Sequence, residues 1–187
     1  YKRQLLDCLE ENNAKATFFM VGTEIASFPE EAKRMKELGC ELGNHTYDHT
    51  DLTTLSSEDI SSEIARVDQQ LVDLTGQGAS VVRPPYGSVN DTVKATIGTP
   101  MILWSIDTLD WKTRNADKTV AAVLNHVKDG DIILMHDIFE TSVTAALACV
   151  DRLMAQGYYF VTVEELFALR GEVPQEGGVY LSLPPKT

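Results

Sequence analysis

The 187-residue chain carries 43% hydrophobic and 24% charged residues, the balance of a soluble globular domain long enough to bury one core. Its net charge of -12 works against a nucleic-acid partner or an anionic membrane surface, both of which call for basic faces. No apolar run reaches the roughly 20 residues of a membrane span, no leader-like segment opens the chain, and the 3 cysteines are far apart without a C-x-x-C, so buried thiols are expected rather than a disulfide framework or a cysteine zinc site.

The chain begins inside an element, because Leu5, Leu6 and Leu9 already run with helical period behind an uncapped Tyr1. Ala16 to Val21 is an apolar run of strand length, of the kind covered on both faces in a parallel sheet. Pro29 to Gly39 reads as a helix with Pro and acids at its start and Gly at its end. Cys40 to Gly43 is the next strand. Ser56 with Asp59 has capping-box form, and Ile60, Ile64, Val67, Leu71 and Leu74 repeat at threes and fours to predict a long helix ending at Gly76.

Beyond it, Ala79 to Val82 leads into the stiff Arg83-Pro84-Pro85-Tyr86-Gly87 turn, and Val89 to Ile97 reads as a short helix. Pro100 to Ile106 and Asp131 to Met135 are strands, separated by a helix over Asp117 to Val127. Ser142 to Ala155 is a helix, Tyr159 to Val163 a last strand, and Glu164 to Leu169 a last helix. Residues 1–170 form the domain and residues 171–187, rich in Pro and Gly, read as a loosely ordered surface tail. Alternating strands and helices indicate an α/β protein with a parallel sheet. A (β/α)7–8 barrel suits polar residues placed after the strands, with a doubly wound open sheet as the alternative. The helix at Tyr1 implies a strand before it, brought by a complementing N-terminal segment.

Those strand ends carry the chemistry. His45 and His49 stand four residues apart, on one face if the turn is helical, and two imidazoles suit zinc, cobalt or nickel better than magnesium or calcium. Arg83 and Tyr86 follow one strand, Asp107, Asp110 and Trp111 another, and His136 with Asp137 tips a third. Four polar strand ends converging on one mouth carry more weight than any single motif.

Taken in order, Lys15-Ala16-Thr17-Phe18-Phe19, Asn44-His45-Thr46-Tyr47-Asp48-His49, Arg83-Pro84-Pro85-Tyr86-Gly87, Asp107-Thr108-Leu109-Asp110-Trp111 and Leu134-Met135-His136-Asp137 resemble the polysaccharide deacetylase family, the NodB-like domains of carbohydrate esterase family 4. The resemblance implies a distorted (β/α) barrel and metal-dependent removal of acetyl groups, foremost N-deacetylation of a polymer containing N-acetylglucosamine such as peptidoglycan or chitin. An O-acetyl xylan esterase, or a catalytically inactive carbohydrate-binding or structural domain, is the alternative. It further implies His45 and His49 as ligands of a divalent metal, zinc foremost with cobalt or nickel able to replace it. His136 would be the general acid, Asp110 the group fixing its tautomer, Arg83 the residue orienting the catalytic base, Tyr86 the backbone donor to the oxyanion, and Trp111 and Leu134 the walls of the acetyl pocket. The partner would be an acetylated polysaccharide or oligosaccharide, met outside the cell or at its wall. One departure stands out: the family's Thr-Phe-Asp-Asp-Gly motif, source of the base and a third ligand, has no counterpart here, and no other Asp-Asp pair replaces it.

Overall fold

The computed structural model, described over residues 1–186, alternates helices with short strands much as the sequence predicts. Helix α1 (Lys2–Glu11) leads to β1 (Thr17–Met20), and α2 (Gly22–Ile25) and α3 (Pro29–Glu37) lead to β2 (Glu41–Asn44). The long α4 (Ser57–Thr75) and short α5 (Asp91–Thr96) precede β3 (Met101–Ile102) and β4 (Ile106–Asp107). Then come α6 (Asp110–Thr113), α7 (Ala116–Leu124), β5 (Ile133–Leu134), α8 (Glu140–Met154), α9 (Val163–Arg170) and β6 (Val179–Tyr180).

Among the described residues the three strand pairs are parallel, with one antiparallel bridge between Asp131 and Ser182. β1 lies beside β2, Val82 bridges Asn44 to Met101, β3 lies beside β6, and β4 lies beside β5. With the helices packed outside, these strands form a distorted (β/α) barrel, whose strand ends share one mouth. The helices form where their ends are satisfied and one face is apolar. Ser56 accepts the Asp59 N–H and Gly76 closes α4 in the left-handed conformation at φ 79°. Val67 and Leu71 on that helix pack with Leu6 and Met35 in the main core, each less than 2% exposed.

Three expectations need correction. The run from Pro100 to Ile106 is two strands of two residues, because Leu103 to Ser105 leave the ladder, although the Leu103 N–H still reaches the Tyr180 carbonyl at 2.8 Å. Residues 171–186 are no loose tail: β6 extends the sheet beside β3, Leu183 is 4% exposed in the core with Ile102 and Phe167, and its N–H donates to the Gly130 carbonyl at 2.8 Å. Tyr159 to Val163 joins no ladder, and all four residues of β1 are only half-buried.

The last correction has one cause. The carbonyls of Ala16 and Met20 accept N–H groups of Glu41 and His45 at 3.1 and 2.9 Å, so the intervening Thr17 and Phe19 turn their backbone groups to the opposite side. Facing them lies the extended segment 158–162, joined to this edge by the Lys15 N–H on the Phe160 carbonyl at 3.0 Å and the Val163 N–H on Thr17 Oγ1 at 2.9 Å. Above those bonds the two edges part around a cavity of about 930 Å³ lined by Phe18, Met20, Met135, Val143 and Phe160.

Cys8, Cys40 and Cys149 are free and buried. Desolvation raises all three thiols, Cys149 to about 11, and a thiol rather than a thiolate is unreactive. Titration with a chromogenic disulfide reagent at neutral pH should leave them unlabelled in the native protein and label all three after denaturation; rapid native labelling would contradict the burial.

Candidate active site

His45 follows β2 directly, and its ring is fixed from behind. Nδ1 lies 2.6 Å from the Arg83 carbonyl, and because a carbonyl only accepts, Nδ1 carries the proton and Nε2 keeps its lone pair. Burial pushes the imidazole down to about 3, so His45 is neutral and able to ligate. The His49 ring lies across it, centroids 4.8 Å apart and planes at 82°, and burial lowers its pKa too. Tyr86 stands on the far side of His49, ring centroids 4.9 Å apart.

The two histidines meet, but not on a helix. Residues 45–49 form a tight loop in which Thr46 and His49 take left-handed φ of 66° and 64°. Its backbone donors are met individually: Asn44 Oδ1 accepts the Thr46 N–H at 2.9 Å, Glu63 Oε2 those of Tyr47 and Asp48 at 2.9 and 3.1 Å, and Thr46 Oγ1 that of His49 at 3.1 Å. Tyr86 at φ 60° and Leu109 at 51° are left-handed as well, so four of the six such non-glycine residues among those described, Asn13 and Arg114 being the others, stand on the loops that carry the candidate residues. Each costs on the order of 1–3 kcal/mol and persists only where its surroundings hold it.

His136 enters from the tip of the β5 segment. Asp110, the 1% exposed first residue of α6, receives the His136 backbone N–H on Oδ2 at 2.7 Å and its Nδ1 on Oδ1 at 2.8 Å. Desolvation works against the Asp110 carboxylate, yet the hydrogen bonds from His136 hold its carboxyl below the usual range. The pair fixes the proton on Nδ1 and leaves Nε2 outward. His45, His49, Arg83, Leu134 and His136 all line the same cavity. Trp111 and Tyr86 do not line that cavity and are 48% and 68% exposed.

Arg83 is 8% exposed. It donates Nε and Nη2 to the carbonyls of Ile102 and Leu103 at 2.9 Å each, and its guanidinium lies over Phe19, 4.1 Å from the ring centroid. Among the described residues it has no carboxylate partner, and desolvation lowers it to about 9. A buried cation met only by dipoles calls for an anion.

The donor set fits a divalent cation in part. Two imidazoles converge with lone pairs available, but no group of three or more His, Cys, Asp or Glu side chains gathers among the described residues, whereas a catalytic zinc site normally takes three protein ligands. Glu63, which shapes the loop, lies outside every motif, and Asn44 stands in one without its loop-holding role being apparent. The available signal for Glu63 was a carboxylate in the apolar stripe of α4, where it is buried along with Ile60, Val67 and Leu71.

Asp110→Asn should lower turnover about 10²-fold or more, by analogy with other carboxylate–imidazole pairs whose tautomer is lost, because an amide nitrogen cannot accept from His136. Steady-state kinetics beside a metal titration checks this, with ion affinity expected to stay unchanged.

A family model described as polysaccharide deacetylase matches residues 1–99. The peptidoglycan-N-acetylglucosamine deacetylase PgdA of Listeria monocytogenes is 42% identical over 176 residues, which cover 94% of this chain and 37% of that protein; this chain thus spans little more than a third of that relative. A solved structure described as T48 deacetylase with substrate superposes with a TM-score of 0.92 at 40% identity, covering 96% of this chain and 89% of that one. A family 4 acetyl xylan esterase from Clostridium thermocellum in complex with a cobalt ion gives 0.91 at 30% identity, covering 97% and 92%.

Proposed function

This chain belongs to the polysaccharide deacetylase family, and we propose that it is the catalytic domain of a metal-dependent hydrolase that removes N-acetyl groups from a glycan containing N-acetylglucosamine, peptidoglycan foremost. The carrying observation is one cavity that gathers two neutral, converging imidazoles and, from a separate strand, a third imidazole locked by a buried carboxylate. The name of the Listeria relative favours peptidoglycan. The fit to an acetyl xylan esterase supports O-deacetylation as the second reading.

His45 and His49 hold the ion, zinc by preference with cobalt or nickel able to substitute. When bound, it supplies Lewis acidity, making water a nucleophile at neutral pH and polarising the acetyl carbonyl. Tyr86 donates its backbone N–H where negative charge develops on the carbonyl oxygen. As the imidazolium, protonated on both nitrogens, His136 would give its Nε2 proton to the amine as the C–N bond breaks and acetate departs, while Asp110 keeps Nδ1–H and the ring in register. Leu134, which lines the cavity, would wall the acetyl methyl.

A base and a third ligand would stand beside Arg83 and the histidines, where the buried guanidinium calls for an anion. The substrate implies work outside the cytoplasm, at the cell wall.

The test is acetate release by the intact protein, with added zinc or cobalt, from acetylated chitooligosaccharides and peptidoglycan fragments. Release from these supports the proposal. Release from O-acetyl xylan alone would favour the esterase, and sugar binding without turnover on any substrate would overturn the enzymatic reading.

A further inference from the structure

We propose that Glu63 is a positioning residue for the histidine loop: by gathering the Tyr47 and Asp48 N–H groups on one oxygen, it fixes the relative placement of His45 and His49 and so sets their affinity for a divalent cation. The inference rests on reading those two imidazoles as ligands.

The Thr46 and Tyr47 carbonyls accept the Gly22 and Thr23 N–H groups at 3.0 and 2.9 Å, and Asn44 and Thr46 side chains accept one loop amide each, but Glu63 alone accepts two. No helix or strand ladder runs through residues 45–49, and two of its residues are left-handed without being glycine. Two successive backbone N–H groups aimed at one anion form a concave anion site, and bonds to a charged acceptor are roughly twice as strong as neutral ones. Glu63 is 8% exposed and has no cationic partner among the described residues. The neighbouring Arg66 lies over the Tyr47 ring instead, 3.2 Å from its centroid. The carboxylate is therefore committed to the loop rather than to an ion pair.

Tyr47 shows how closely the loop is seated. A Cβ added at Gly22 would lie 2.5 Å from Tyr47 Cδ2, so the ring is wedged against α2 while Glu63 holds the adjoining backbone from α4. His45 is tied to the sheet by its N–H on the Met20 carbonyl, whereas His49 lies beyond the Glu63-held amides. Loss of the carboxylate frees two amides and lets His49 swing relative to His45. Helix α4 itself keeps its core anchors, Ile60, Val67 and Leu71.

Zinc or cobalt alone, titrated into the intact protein, reads the effect. Glu63→Ala should weaken binding about tenfold or more, the range seen when supports of metal ligands are removed, and alter the visible spectrum of bound cobalt. Glu63→Gln, which keeps one oxygen to accept both N–H groups, should recover most of the affinity. In the metal-free proteins, amide exchange at Tyr47 and Asp48 should quicken in the alanine variant and not in the glutamine one. If the alanine variant does not fold, Glu63→Asp, one methylene short, carries the same expectation. Wild-type binding matched by Glu63→Ala would overturn the role of Glu63 alone, as would a glutamine variant as weak as alanine. A wild-type protein that binds neither ion would overturn the ligand reading and this inference with it.

Discussion

His45→Ala should abolish metal-dependent acetate release and weaken zinc or cobalt binding by more than about 100-fold, beyond the range for losing a group that merely supports a ligand. The geometry of His45 suits a ligand: Nδ1–H goes to the Arg83 carbonyl, burial keeps the ring neutral, and Nε2 keeps its lone pair. The fold should survive the change, because His45 lies just past the end of β2 and the ladder beneath it ends with the Met20–Asn44 pair. Isothermal titration with either ion, alongside circular dichroism, checks both halves. Tight binding in a folded alanine variant would remove His45 from the ligand set.

His136→Ala should act differently, lowering kcat by roughly 10²–10⁴-fold, the usual contribution of a positioned general acid or base, with ion affinity little changed. The distinction follows from the wiring. His136 spends Nδ1 on Asp110 and shares the cavity with His45 and His49 from another strand, so on the proposed mechanism its loss would leave the departing amine without a proton while His45 and His49 stay in place. Single-turnover kinetics under saturating metal reads the step itself. An alanine variant that loses the ion instead would make His136 a ligand rather than an acid.

Much of this molecule was legible from pattern. The long α4 announced itself through Ser56, Asp59 and apolar residues at threes and fours, and the histidines, Arg83 and His136 stood at strand ends as their positions suggested. The pairing of Asp110 with His136, 26 residues apart, came only through the family resemblance, since no local rule joins them. Helical spacing misjudged the His45–His49 turn, because left-handed Thr46 and His49 carry no glycine to signal them, and the amides between them are held by Glu63 from a separate helix. Two-residue strands such as β6 are too short to show a period of two, so the sheet contribution of residues 171–186 was hidden behind their prolines and glycines. Tyr159 to Val163 has the composition of a strand, yet one backbone bond, the Lys15 N–H on the Phe160 carbonyl, joins it to the β1 edge, and both edges line the cavity.

Anomalous diffraction from crystals of the intact protein soaked with cobalt or zinc tests the central claim most directly. The account predicts a single strong peak about 2.0–2.1 Å from one ring nitrogen each of His45 and His49, with a carboxylate completing the set and His136 facing the ion without touching it. A peak elsewhere, or one that binds neither imidazole, would contradict it.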